Sequence, residues 1–375
     1  MEISHSLYLF RQGAELIYLD ANATEPLRPA AQAAVLAALA GVGNPSSVHA
    51  AGRAARRRLE DAREAIATRF GAPPGAVVFT SGGTEADALA VHALGRGRRL
   101  IVGATEHDAI RAAAPGAAIL RVGRDGVADL GALRDLLEGP PALVCLMAAN
   151  NETGVLQPVA EAAALCRARG ARLHVDAVQA AGRIALDFAG LGADSLALSS
   201  HKLGGPAGAG ALLLAPAAPD LTPLIAGGGQ ERGRRGGTPP LPAIAGFAAA
   251  AAEAGGADRL APLRDAIERA AVAAGAVVIG AAAPRLPNTT CLALPGVRAE
   301  TQVIALDLAG IAVSAGAACS SGKVARSHVL DAMGLGPLAG EAIRVSLPWS
   351  ATEADVAAFA AAYRQVAERL ARVPA

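Results

Sequence analysis

Between residues 76 and 214 the sequence alternates short apolar runs with longer stretches of helical periodicity, and this alternation restricts the possible fold more than any other feature. Residues 77–80, 100–103, 119–122, 143–147, 173–175, 195–199 and 210–214 each read as a strand. Most are separated by helical patterns, which predicts an α/β fold with a seven-stranded, mostly parallel sheet. Open sheets of that kind bind ligands beyond the carboxyl ends of their strands. The residues just past those ends are 81–84, His107, Asn151, Asp176 and Lys202, so positions far apart in sequence are expected to meet on one edge.

After about residue 250 the pattern changes to helix, strand 276–279, strand 290–294, helix 300–308, strand 311–314, loop and helices. This predicts a large domain over 16–250 and a smaller α+β domain made of 1–15 and 251–375, which a chain of 375 residues is long enough to support. The 34 basic and 33 acidic residues leave a net charge of +1, which argues against nucleic acid as a bulk electrostatic partner. The start of the chain does not read as a signal peptide, and no uncharged run reads as a bilayer span, so a soluble, cytoplasmic protein is expected. Cys145, Cys166, Cys291 and Cys319 form no Cys-x-x-Cys pair, which suggests neither a zinc site nor a disulfide framework.

Lys202 follows directly on the apolar run 195–199 and precedes the chain-breaking Leu-Gly-Gly-Pro. A lysine becomes a nucleophile when burial or a neighbouring charge destabilises its ammonium, and a Schiff-base role fits this place. Alone it would read as a surface lysine. The segment from Val77 through Ser81-Gly-Gly-Thr84 into Glu85 is strand, glycine turn, helix, where the N–H groups of Gly83 and Thr84 can hold an anion. It lacks the Gly-Lys-Ser/Thr of a Walker loop and is as often a plain turn. Asp176 at a strand end suits a pyridinium nitrogen, or else caps the next segment. His107 can stack on a planar cofactor and carry protons, whereas His174 reads as structural. Ser199 and His201 can line a phosphate.

Cys319 lies among small residues, near Lys323 and Arg326, as a thiol able to travel, or as an inert loop cysteine. The other three cysteines read as small hydrophobes. Arg344 has the planar fork that suits a carboxylate. On the helix expected to end near Phe70, and capped by the turn at 43–47, Arg56, Arg57, Glu60, Arg63 and Glu64 read as a solvated face. Residues 227–240 read as a flexible basic loop entering a helix at Leu241.

The ordered motifs Thr80-Ser-Gly-Gly-Thr-Glu-Ala-Asp, Thr105-Glu-His, Asn150-Asn-Glu-Thr-Gly, His174-Val-Asp-Ala-Val-Gln, Ser199-Ser-His-Lys, Gly227-Gly-Gly-Gln-Glu-Arg-Gly and Ser314-Ala-Gly-Ala-Ala-Cys resemble those of the cysteine desulfurases. These are fold-type I, pyridoxal-phosphate enzymes. The length of the Cys319 loop resembles that of the group used in nitrogen fixation and iron–sulfur assembly. The resemblance implies that Lys202 carries the cofactor as a Schiff base, Asp176 pairs with its pyridine nitrogen and His107 stacks on its ring. It implies that Gln179 bonds the ring's phenolic oxygen, with Asn151 near that oxygen and near the substrate carboxylate. Gly83, Thr84, Ser199 and His201 would hold the phosphate, and Thr238 would reach the phosphate of a neighbouring subunit, which makes a homodimer part of the expectation. The implied reaction takes sulfur from L-cysteine, gives alanine, leaves a persulfide on Cys319 and passes it to an acceptor or iron–sulfur scaffold protein. Ala88, Ala315, Ala317, Glu25 and Pro348 depart from residues usual in the family, with threonine the usual residue at the Glu25 position. An aminotransferase or selenocysteine-type lyase of the same fold, and a catalytically silent scaffold, are the other readings.

Overall fold

The computed structural model describes residues 16–216, 221–316 and 326–370. Its strands, numbered along the chain, begin with β1 (Ile17–Tyr18), followed by β2 (Val77–Thr80), β3 (Arg99–Gly103), β4 (Ala118–Leu120), β5 (Ala142–Cys145), β6 (Arg172–Asp176), β7 (Ser195–Ser199) and β8 (Gly210–Leu214). Strands β2 to β8 form one seven-stranded sheet in the order β2-β8-β7-β6-β5-β3-β4. Pairing is parallel from β4 across to β7 and antiparallel only where β8 meets β7 and β2. The expected sheet is therefore present, with strand ends displaced by one or two residues.

Every residue of β2, β5, β7 and β8 is buried, as expected of strands covered on both faces. One face packs Ile66, Phe70, Phe79, Ile244 and Phe247. The other packs Leu89 and Ala90 of helix Gly83–Leu94 against Val78 and Leu212. The many alanines let helices approach closely. A Cβ on Gly246, in helix Leu241–Glu253, would lie 2.7 Å from Val35 Cγ2 and 2.8 Å from Pro206 Cδ, so glycine is required there.

A second core gathers Leu19, Leu306, Ile343, Phe359 and Tyr363, with the rings of Phe359 and Tyr363 stacked 5.4 Å apart. Its sheet has the order β12-β13-β10-β9, with β9 (Val277–Ile279), β10 (Thr289–Ala293), β12 (Ser314–Ala315) and β13 (Ala342–Ser346). The strand expected at 311–314 is split. Its first part, β11 (Ile311–Ala312), pairs with β1, and its second, β12, pairs with β13. Strand β13 itself was not expected. An arginine at its centre hides the apolar signal, although all five of its residues are buried.

Arg63 corrects the reading of a solvated arginine face. Helix Ala50–Arg69 is capped by His49, whose Nδ1 accepts from Gly52 N, in place of the turn at 43–47. Arg56, Arg57 and Glu64 are exposed, but Arg63 is buried. Both its terminal nitrogens donate to Glu231 at 2.8 Å, and Nη1 also donates to Val77 O. Glu231 Oε2 accepts from Phe79 N at 2.9 Å. Strand β2 is the sheet edge, so its outward N–H and C=O groups need partners, and this pair supplies them. The loop read as flexible is thus anchored at Glu231. Glu231 and Arg232 have φ of 48° and 58°, a left-handed turn that costs non-glycine residues about 1–2 kcal/mol each and that the buried pair sustains.

Candidate functional site

A cavity of about 150 Å³ opens at the carboxyl edge of the large sheet. Gly83, Thr84, His107, Asn151, Asp176, Gln179, Ser199, His201, Lys202 and Arg344 all line it, together with Asn22, Asp87 and Met147. Thr238 is exposed and does not line it. Cys319 lies outside the described residues.

Lys202 ends a single turn directly after β7. Its Nζ donates to Asn22 O at 2.6 Å and Ala23 O at 2.9 Å, which fixes the amine at the mouth of the cavity. The 20–23 segment that supplies these carbonyls connects β1 to the cavity wall. Asn22 Nδ2 bonds Asn151 O and Thr289 Oγ1, so one side chain ties the site to both sheets.

Helix Gly83–Leu94 begins at β2's end with no side-chain cap, and the first N–H groups of a helix have no intrahelical acceptor. A Cβ on Gly83 would lie 2.6 Å from Val178 Cγ2 and 3.4 Å from Ser199 Cβ, so only glycine lets this turn sit against Ser199. Ser199 Oγ is buried and has no hydrogen-bond partner among the described residues. Backbone donors at a helix start beside an unsatisfied buried hydroxyl have the chemistry of a phosphate cradle. His201 borders it as a neutral imidazole, since burial and then the Lys202 charge hold its pKa down to about 4. Its Nδ1 contacts Thr24 Oγ1 at 3.1 Å.

Asp176 closes β6, and its Oδ1 accepts from Val178 N at 2.9 Å. Burial pushes its pKa up to about 7. A carboxyl group held there gains most from a cationic or proton-sharing nitrogen, which is what a pyridine ring offers. Beneath it, His174 Nδ1 meets Ser195 Oγ at 2.8 Å and Nε2 meets Asp87 Oδ1 at 3.1 Å. Burial holds His174 down to about 4 and pushes Asp87 up to about 8, so this is a bond between neutral groups despite its ion-pair distance. The structural reading of His174 is confirmed.

His107 caps helix Asp108–Ala113, its Nδ1 accepting from Ala109 N at 3.1 Å. With Nδ1 an acceptor, the ring proton belongs on Nε2. Arg344 lies in β13 and is 2% exposed, its Nη2 on Asp20 Oδ1 at 2.7 Å and its Nη1 on Asn151 O at 3.2 Å. Its Nε is buried without a partner among the described residues, a donor left for a ligand carboxylate. Asn150 differs from Asn151: its oxygen accepts from Glu152 N and Thr153 N, which makes it a turn-former.

Three cysteines among the described residues, Cys145, Cys166 and Cys291, are buried and free. Burial raises all three thiol pKa values, that of Cys166 up to about 12, so none is a nucleophile at neutral pH. No described helix is long and apolar enough to cross a membrane.

Sequence reading missed Asn22, Asp87 and Arg183. Asp87 lies one helical turn beyond Gly83, on the same face, and that spacing was the available signal.

The family described as aminotransferase class-V matches residues 17–359. A cysteine desulfurase from Cereibacter sphaeroides is 44% identical over 361 residues, covering 91% of this chain and 93% of the relative. An IscS-like cysteine desulfurase from Mycobacterium tuberculosis is 39% identical over 370 residues, covering 91% and 93%. Among solved structures, a NifS-like protein from Rickettsia africae superimposes with a TM-score of 0.88 at 34% identity, covering 94% of this chain and all (100%) of that one.

Proposed function

The chain belongs to the class-V aminotransferase family and is a cysteine desulfurase, a fold-type I enzyme, and from that premise we propose how its own residues divide the work. The reading takes L-cysteine as substrate and pyridoxal phosphate as cofactor, and it places the persulfide on Cys319. One observation carries it: ten residues singled out in the sequence, drawn from six separate stretches between 83 and 344, line one cavity at the sheet's carboxyl edge.

Gly83, Thr84, Ser199 and His201 would hold the phosphate, Asp176 the pyridine nitrogen, His107 the ring face, and Gln179 and Asn151 the ring oxygen. When bound, the cofactor supplies an electron sink for charge that builds up on the substrate's carbons. Lys202 anchors it and, once displaced by substrate, carries a proton on Nζ. The carbonyls of Asn22 and Ala23 restrict where that amine can move. Arg344, held by Asp20 and Asn151, receives the substrate carboxylate through its fork. His107 Nε2 exchanges a proton with the substrate thiol. The Cys319 thiolate then takes the sulfur: the substrate's carbon–sulfur bond breaks, a sulfur–sulfur bond forms on the protein, and the carbon skeleton leaves as alanine.

Transfer of that sulfur to an acceptor for iron–sulfur clusters, a cytoplasmic location and a homodimer belong to the same proposal. Dimerisation is supported by Thr238: its loop is anchored at Glu231, yet Thr238 is exposed and off its own chain's cavity. Borohydride reduction of the pyridoxal-phosphate-loaded protein, with peptide mapping, tests the site. Label on Lys202 is expected, and label on another lysine would contradict the assignment.

A further inference from the structure

Gln179 faces the cavity with a side-chain amide whose two ends have opposite chemistry. Its NH2 group can donate to a ring oxygen, whereas its carbonyl oxygen would repel an anionic one. Which end points inward is decided behind it. Arg183 Nη1 donates to Gln179 Oε1 at 2.6 Å and to Gln179 O at 3.0 Å. A guanidinium has only donors, so the amide oxygen must face Arg183 and the NH2 group must face the other way. Gln179 Nε2 indeed donates toward the site, to Asn22 O at 3.0 Å.

Arg183 is held in turn by Glu25. Both are buried, 6% and 7% exposed, and Arg183 Nη2 donates to Glu25 Oε2 at 3.1 Å and to Ala21 O at 3.2 Å. The second carboxylate oxygen, Oε1, accepts from Trp349 N at 2.7 Å, which ties the pair to the segment just after β13, the strand of Arg344. The chain of contacts therefore runs from Trp349 through Glu25 and Arg183 to Gln179. We propose that Glu25 and Arg183 are positioning residues that lock the Gln179 amide with its NH2 group presented to the cofactor's ring oxygen. This rests on the pyridoxal-phosphate reading of the cavity and deepens it. Glu25, a departure from the family's usual threonine, gains a role.

A donor on the ring oxygen stabilises its anionic form. Losing that donor raises the pH at which the bound cofactor's visible band titrates. Arg183→Met, Arg183→Lys, Glu25→Gln, Gln179→Ala and the double variant Arg183→Met/Gln179→Ala would be titrated as pyridoxal-phosphate-loaded proteins. Cofactor dissociation constants and melting temperatures would be measured alongside. Arg183→Met is expected to raise the midpoint by about one pH unit, Arg183→Lys and Glu25→Gln by less in the same direction. In the Gln179→Ala background Arg183→Met should add nothing, because it acts through that amide. Additive shifts, or unshifted midpoints in the Arg183 and Glu25 variants while Gln179→Ala shifts, would overturn the proposal. If Arg183→Met does not fold, Arg183→Lys and Glu25→Gln decide it by the same titration. A wild-type protein that acquires no visible band would instead refute the reading of the cavity on which the proposal stands.

Discussion

Replacing Glu231 by alanine removes a carboxylate that does not line the cavity, yet the structure makes it costly. Three bonds are lost: both terminal nitrogens of Arg63, at 2.8 Å, and the N–H of Phe79, at 2.9 Å. Arg63, whose side chain is 5% exposed, would keep its charge with Glu60, Val77 O and the Phe79 ring face as its partners among the described residues. Breaking a buried pair from one side costs about 3–5 kcal/mol, and the orphaned edge-strand N–H, about 1–3 kcal/mol alone, is taken as part of that loss. About 4 kcal/mol is therefore expected, and about half of it for Glu231→Gln, which keeps an acceptor for Phe79. Arg63→Met/Glu231→Leu should lose less than Glu231→Ala, since no uncompensated charge remains. Urea unfolding followed by far-ultraviolet circular dichroism measures the shift. A loss below about 1 kcal/mol for Glu231→Ala would refute the reasoning. Because β2 leads straight into the Gly83 turn, weaker binding of pyridoxal phosphate is expected alongside.

Other outcomes follow from the same geometry. Asp87→Asn keeps a donor for neutral His174 and should cost under about 1 kcal/mol, whereas Asp87→Leu strands a buried imidazole and should cost about 1–3 kcal/mol in the same unfolding assay. His174 has a native pKa of about 4, below its unfolded value, so its contribution is present above about pH 6.5 and is lost as pH falls from there toward 4. At pH 5 that loss is about 2 kcal/mol; His174→Gln should show a correspondingly flatter acid limb, and an unchanged slope would contradict the assignment. Arg344→Lys loses the planar fork and should raise KM for cysteine roughly 10–100-fold, with a smaller change in kcat, in an alanine-release assay.

How far the sequence could be read depended on the kind of signal. β7 and β8 were legible to the residue because they are continuously apolar and bounded by Ser and Gly. β13 was not, since Arg344 interrupts its pattern, although that same arginine was picked out for its chemistry. Lys202, Asp176 and His107 could be read because a parallel sheet sends its strand ends to one edge. Arg63 misled the reading: on a helix of exposed arginines, burial depends on a partner 168 positions away, which no local periodicity encodes. Asn22 and Arg183 were missed for the same reason, because what gives them value is long-range: Asn22 bonds Asn151, Lys202 and Gln179, and Arg183 bonds Glu25.

Incubating the pyridoxal-phosphate-loaded protein with L-cysteine and quantifying alanine and protein-bound persulfide together, in wild type and Cys319→Ala, tests the assignment of chemistry to residues most directly. Wild type should form alanine with persulfide mapped to Cys319, and the variant should lose the persulfide and most alanine release. Undiminished alanine from Cys319→Ala in the presence of a reductant, or persulfide on a different cysteine, would contradict it.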